Sequence, residues 1–241
     1  MLKEKKSEKL RVWALVLVIG LPVFFILTFR GLKKIPRPKT PQPMFTDSLE
    51  VKKNLYGEID TLAVYHRIPN LKFETQFGDT LELDSLKGKL YIANFFFASC
   101  PGICPKMTSS MAKVQEAFAK DEVIRLVSFT VDPERDNPEV LREYANRHQA
   151  IPGKWFFLRG SKEQTYALAE KGFKLTAIAD APDEIEKIAH SERFVLVDWN
   201  GHIRGYYPGT DSARIVKLSQ DAFMIKREYE RGQNYSFGRS K

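Results

Sequence analysis

An α/β fold is predicted for the central part of the 241-residue chain, on two observations. Strand-like apolar runs alternate with segments whose apolar residues recur at the helical period, in the order β-α-β-α-β-α-β-β-α. Both cysteines of the chain lie where the first central strand passes into its helix, the position that redox pairs occupy in thioredoxin-like folds. The sequence therefore predicts a thioredoxin-like sheet, with an extra N-terminal hairpin ahead of it.

Each element has its own signal in the sequence. The hairpin is predicted over residues 71–83, with Gly78-Asp79 in its turn. Ser161 and Gln164 are spaced as a capping box, and Asn200-Gly201 is a strong hairpin turn. Strands are predicted over residues 90–97, 123–131, 155–158, 194–197 and 203–207. Helices are predicted over residues 105–119, 138–149, 161–171 and 212–230.

The positive charge of the chain lies at its ends. The net charge is +8, but residues 1–43 alone carry +8 and residues 226–241 carry +3, which leaves −3 for the rest. A mildly acidic domain removes the main argument for nucleic-acid binding, so no nucleic-acid partner is expected. We predict five segments: a cytoplasmic tail (1–11), a transmembrane anchor (12–29), a proline-rich basic linker (30–64), the thioredoxin-like domain (65–225) and a disordered basic tail (226–241).

The anchor is predicted from eighteen consecutive uncharged residues, 12–29. A helix of that length reaches about 27 Å, close to the thickness of a bilayer's hydrocarbon core. A buried core helix is the first alternative, but such a helix is seldom uncharged all round. A cleaved signal peptide is the second, and it would have a shorter apolar region and an A-x-A-like site. Arg30 follows the run instead, so an uncleaved single-pass helix is favoured.

The direction of this helix in the membrane follows from charge. Basic residues flank both ends almost equally, and the free amino terminus favours an N-terminus on the cytoplasmic side. The first residues lack the composition of an organelle transit peptide. We therefore expect a bacterial inner membrane protein whose C-terminal domain lies on the periplasmic side, where disulfide chemistry is permitted.

The chemistry of the chain is predicted at residues 90–105, LYIANFFFASCPGICP. An apolar strand ends there, and Cys100 and Cys104 follow on a loop ahead of a helix predicted to begin after Pro105. The partial positive charge of a helix N-terminus favours thiolate over thiol. On a helical turn, an i, i+4 pair would have its Cβ atoms about 5–6 Å apart. Two structural cysteines or a plain disulfide are the alternatives, but a functional site is favoured.

Two thiolates so placed can share a soft metal ion or close into a disulfide. Copper and zinc both suit sulfur ligands, and a third ligand would be a histidine. His66 precedes the core strands, His148 is expected on a solvated helix face, and His202 is expected to be exposed after the Asn-Gly turn. His190 lies in the loop before the strand at 194–197, which passes beside the cysteine motif in thioredoxin-like folds. His190 is therefore the favoured ligand.

At this point the chain resembles the Sco/SenC family of membrane-anchored copper proteins that take part in maturing cytochrome c oxidase. The resemblance covers about residues 65–225. It rests on three segments, FFFASCPGICPKM (95–107), SFTVDPERDNPEVLREYA (128–145) and HSERFVLVDWNG (190–201). It implies copper ligands at Cys100, Cys104 and His190, with the metal held as Cu(I) or Cu(II).

The resemblance also implies a role and partners. The role is delivery of copper to, or reduction of the cysteines at, the binuclear copper site of cytochrome c oxidase subunit II, with a periplasmic copper donor and a thiol reductant as further partners. Thiol–disulfide exchange on exported proteins is the alternative function, and a peroxidase-like reductant using Cys100 is the weakest. Asp132 and Asp136 match the family's signature loop, and we expect them to cap the helix beginning near Pro138. Some relatives have an acidic residue where this chain has Ala189.

Overall fold

A mixed seven-stranded sheet forms the centre of the computed structural model, which describes residues 39–53, 59–175 and 192–237 and the isolated positions 13, 18, 20, 21 and 24. The strands within this part of the chain are Thr46–Lys53 (β1), Ile59–Tyr65 (β2), Lys72–Thr75 (β3), Thr80–Glu82 (β4), Leu90–Phe96 (β5), Ile124–Thr130 (β6), Trp155–Arg159 (β7), Arg193–Val197 (β8) and Ile203–Pro208 (β9). The α-helices there are Ile103–Ala117 (α1), Pro138–Arg147 (α2), Lys162–Ala167 (α3) and Ser212–Phe237 (α4).

The order of the strands in the sheet is β4-β3-β7-β6-β5-β8-β9. β5, β6 and β7 are parallel, whereas β8 is antiparallel to β5 and β9 is antiparallel to β8. β3 and β4 pair as an antiparallel hairpin around Gly78, whose positive φ of 84° suits glycine at a tight turn. β1 and β2 pair only with each other. The mixed α/β architecture agrees with the prediction from the sequence.

β5 is buried along its whole length because both faces of the sheet are covered. Successive side chains of a strand point to opposite faces. Leu90, Ile92 and Phe96 accordingly pack in one core with apolar residues of α1, α2 and α4. Tyr91 and Phe95 pack in the second core, which also contains the 3₁₀ turn Leu83–Leu86 and the π-helical turn Leu168–Gly172. A strand buried on both faces is held rigidly, and it delivers the cysteine segment from a fixed position.

Two predicted boundaries are wrong. Residues 30–64 were expected to be a linker, yet β1 and most of β2 lie within them. Three large apolar side chains of these two strands, Leu49, Val51 and Leu62, are exposed rather than packed in a core. Residues 226–241 were expected to be disordered, yet α4 continues to Phe237. Its C-terminal part is held by Glu228, which pairs with Arg204 at 2.9 Å, and by Tyr229, whose ring lies 5.1 Å from that of Trp199.

The chain divides into two compact units, residues 1–39 and residues 40–241. The predicted anchor over residues 12–29 lies almost entirely outside the described residues. Among the residues that are described, no helix combines the length and the apolar character that crossing a bilayer requires.

A candidate copper and thiol site at the end of strand β5

The cysteines lie where β5 gives way to α1. After Phe96 the chain turns, and the Cys100 N–H donates to the Phe97 carbonyl at 3.3 Å. α1 begins at Ile103, with Gly102 as its N-cap residue. The helix thus starts two residues earlier than predicted, and Pro105 lies in its first turn. Proline is tolerated there because the N–H groups of the first turn have no intrahelical partner.

This earlier start separates the two cysteines structurally. Cys104 is a helical residue of the first turn, whereas Cys100 precedes the helix. The two cysteines therefore do not lie on one helical turn, although the i, i+4 spacing predicted that they would. Both cysteines nevertheless pack against the same apolar core, and each thiol affects the pKa of the other. Neither cysteine is in a disulfide.

The two thiols have opposite electrostatic environments. Partial burial of Cys100 opposes ionisation, but hydrogen bonds from the backbone N–H groups of Cys104, Gly102 and Ile103 outweigh it and lower the pKa of Cys100. Cys104 is buried, and burial raises the pKa of its thiol to about 12, against a hydrogen bond from the backbone of Phe97. Cys100 is thus the more accessible and the more readily ionised of the two thiols, and Cys104 is the buried one.

The turn that carries Cys100 is braced by Asp136. This carboxylate is 1% exposed, and its Oδ2 atom accepts the backbone N–H of Ala98 at 3.0 Å and the hydroxyl of Thr130. Burial raises the pKa of Asp136, while the bonds from Thr130 and Ala98 act in the opposite direction. The negative charge of ionised Asp136 also contributes to the raised pKa of Cys104. The brace thus joins the loop after β6 to the loop after β5.

The prediction that Asp132 and Asp136 cap α2 is wrong. The N-cap is Asn137, whose side chain accepts the backbone N–H of Val140 at 2.9 Å. Asn137 directly precedes Pro138 at the first helical position, and this pairing of residue types could have identified the cap from the sequence. Asp132 lies beside the exposed Arg135 at 3.6 Å. No sequence signal pointed to the bond between Asp136 and Ala98, which joins residues 38 apart.

His190, the predicted third ligand, lies outside the described residues. Its sequence neighbour Glu192 is described, and the carbonyl of Glu192 accepts the Gly209 N–H at 2.6 Å. β8 runs antiparallel to β5, with Val195 opposite Ala93. The N-terminal end of β8 therefore lies at the same end of the sheet as the cysteine turn.

The other three histidines have partners elsewhere. The His66 ring bonds the Gly172 carbonyl at 2.8 Å and contacts Asp47. The His148 ring lies 4.6 Å from that of Tyr144, and it is half-buried rather than fully solvated as predicted. His202 was predicted to be exposed, but its side chain is only 17% exposed. Its ring packs against that of Tyr65, with Nδ1 3.4 Å from an Asp198 oxygen.

The two cysteines fit a soft metal ion. Both pack against one core, the pKa of Cys100 is lowered, and sulfur is the ligand type that Cu(I) prefers. Within the described ranges, no group of three His, Cys, Asp or Glu side chains is arranged to hold a metal ion. A third ligand would therefore have to come from outside those ranges or from a partner.

Comparisons with known proteins identify the family of the chain. Residues 66–221 match the SCO1/SenC family. A SCO1 protein homolog of Bacillus subtilis is 33% identical over 158 residues, which are 65% of this chain and 81% of that protein. The structure of a SCO1/SenC family lipoprotein from Bacillus anthracis matches with a TM-score of 0.58 and 28% identity, over 67% of this chain and 95% of that one.

A second solved structure is that of BsSco, described as a member of the Sco family of cytochrome c oxidase assembly proteins with a disulfide switch. It matches with a TM-score of 0.57 and 32% identity, over 66% of this chain and 93% of that one. The family match covers more than half of the chain and includes both cysteines and the bracing aspartate. The fold is therefore thioredoxin-like, as predicted, and the chain belongs to the SCO1/SenC family.

Proposed function

We propose that this protein is a copper-binding assembly factor. It delivers copper to, or keeps reduced the cysteines of, the binuclear copper site of cytochrome c oxidase subunit II. The observation that carries the proposal is the pair of cysteines at a helix N-terminus, where both pack against one core and the pKa of Cys100 is lowered. The relatives add support, since one is described as belonging to the cytochrome c oxidase assembly proteins and another, from Stutzerimonas stutzeri, as copper-binding.

The proposed ligands are Cys100, Cys104 and His190, and the cargo is Cu(I) or Cu(II). Two thiolates suit Cu(I), and an added imidazole suits either oxidation state. His190 is supported by the position of Glu192 at the cysteine end of the sheet. Binding would release the protons of both thiols, and the raised pKa of Cys104 makes this release less favourable at low pH.

The proposed location is the bacterial inner membrane, with residues 12–29 as a single-pass anchor and the domain on the periplasmic side. The uncharged run and its basic flanks support it. A periplasmic copper donor and a thiol reductant would then reload the protein. Protease added to intact spheroplasts should remove the domain, and a domain protected until lysis would reverse the proposed orientation.

Thiol–disulfide exchange is the second candidate, and the unequal pKa values of the cysteines favour it. The Cys100 thiolate would attack a client disulfide, forming a mixed disulfide and releasing one client thiolate. Cys104, after losing its proton, would attack the Cys100 sulfur, close the Cys100–Cys104 disulfide and release the second client thiolate. The client gains two electrons, and the cysteine pair loses them.

The ligand set is tested by the absorption of the Cu(II) form, in which thiolate-to-metal charge transfer reports the sulfur ligands. Cys100→Ala and Cys104→Ala should each abolish the band, and His190→Ala should weaken or shift it. His148→Ala and His202→Ala are matched controls and should leave it intact. A His202→Ala protein that loses the band would overturn the choice of His190.

A further inference from the structure

Residues 41–45, which we call the strap, are packed against the edge of the sheet. The Pro41 carbonyl accepts the Arg204 Nε–H at 2.6 Å, and the Met44 N–H donates to the Ile203 carbonyl at 2.9 Å. The Phe45 ring meets that of Tyr206 edge-on, with centroids 6.2 Å apart. β9 is the last strand of the sheet, so the strap covers an edge that would otherwise expose unpaired backbone groups.

Arg204 is the residue on which the strap depends. Its side chain is 2% exposed, and a buried guanidinium is stable only when its N–H groups are paired. Nη1 pairs with Asp198 and Nη2 with Glu228, both at 2.9 Å, and Nε is left for the Pro41 carbonyl. The strap therefore completes the hydrogen bonding of a buried charge.

The strap lies at the end of the sheet opposite the cysteines. Cys100 follows the C-terminal end of β5, whereas Tyr91, near its N-terminal end, pairs with Val197. Val197 in turn pairs with Ile203, the residue that holds Met44. Tyr91 and Phe96, the last residue of β5, are five residues apart, so at about 3.3 Å per residue the strap and the start of the cysteine turn are separated by roughly 17 Å along the strand.

We propose that Arg204 fastens the strap so that the chain before it leaves the domain opposite the cysteine turn. The inference rests on the proposed function in one respect, namely that the residues before the strap lead to a membrane anchor. The strap and Cys100 then lie at opposite ends of the sheet, so a partner can reach Cys100 without displacing the strap.

The test measures distances between spin labels in the full-length protein in detergent micelles. Labels are introduced as noncanonical amino acids at the exposed residues Gln42, Lys106 and Asn200, which leaves both cysteines native. Two label pairs are measured, Gln42–Lys106 and Gln42–Asn200. If the strap is fastened, both distance distributions should be narrow, and the Gln42–Lys106 distance should be the longer. A shorter distance to Lys106, or broad distributions in the otherwise unchanged protein, overturns the proposal.

Two variants test the fastening itself. Met44→Pro removes the N–H that bonds Ile203 and should broaden both distributions, whereas Met44→Ala keeps this donor and should not. Arg204→Lys keeps the positive charge but lacks the several N–H donors of the guanidinium group. It replaces Met44→Pro in the test if circular dichroism shows the Met44→Pro protein to be unfolded. If the distance distributions from Gln42 are as narrow in the folded variant as in the parent protein, the hydrogen bonds to Ile203 and Arg204 do not hold the strap. Copper binding is measured in parallel and should be unchanged in Met44→Pro, so a failed strap is distinguishable from a failed copper assignment.

Discussion

The carboxylate of Asp136 accepts the backbone N–H of Ala98 at 3.0 Å, two residues before Cys100. The same oxygen accepts the hydroxyl of Thr130 on β6. The shape of the cysteine turn is therefore set by a buried residue from a different loop.

Replacing this residue should destabilise the protein. Asp136→Ala leaves the Ala98 N–H and the Thr130 hydroxyl without an acceptor, and we expect a loss of about 1–3 kcal/mol in the free energy of unfolding. Asp136→Asn keeps an acceptor oxygen and should lose less. Asp132→Ala, at a partly exposed position beside Arg135, should change stability by no more than about 0.5 kcal/mol. Urea denaturation measures all three, and equal losses for the two alanine variants would contradict the brace.

The cysteines should differ in reactivity in the reduced, copper-free protein. A lowered pKa gives Cys100 more thiolate at neutral pH than an ordinary cysteine has. Because the thiolate is the reactive form, the rate of Cys100 alkylation should reach its plateau at a lower pH than that of an ordinary cysteine. Cys104, with a pKa of about 12 and a buried side chain, should stay protonated and react only after unfolding. The alkylation rate of each cysteine can be measured with iodoacetamide and peptide mass spectrometry. At pH 7 Cys100 should be alkylated at least about tenfold faster than Cys104. Faster modification of Cys104 would contradict the assignment.

The C-terminal part of α4 should contribute to stability. Truncation after Ile225 removes both the Glu228 carboxylate that pairs with buried Arg204 and the Tyr229 ring that packs on Trp199. Glu228 is partly exposed, so Glu228→Ala should cost only about 1 kcal/mol, and the truncation should cost more. Glu230→Ala is the control, since this exposed residue lies 3.5 Å from Lys226, and it should change little. If the truncation causes no loss of thermal stability, the prediction that residues 226–241 are disordered would be supported instead.

The cysteine junction could be predicted because its signals are local. An apolar run of strand length, two cysteines and a helical apolar face follow one another within about thirty residues. The brace from Asp136 could not be predicted, because it depends on β5 and β6 being neighbours in the sheet. The strap was missed for the same reason, since Pro41 and Arg204 are 163 residues apart.

Exposure was the least predictable property. His202 follows the Asn200-Gly201 turn, where polar side chains are commonly solvated, yet Asp198 and Tyr65 bury most of it. Tyr65 is the last residue of β2, and the rest of that strand lies within residues 30–64, which were predicted to be a linker.

Copper binding before and after quantitative oxidation tests the central claim most directly. A Cys100–Cys104 disulfide leaves neither sulfur as a thiolate, so ligation and oxidation should exclude each other. The reduced protein should bind one copper ion per chain, and the fully oxidised protein, verified by thiol counting, should bind none at the same free copper concentration. Equally tight binding by the two forms would mean that Cys100 and Cys104 are not the ligands.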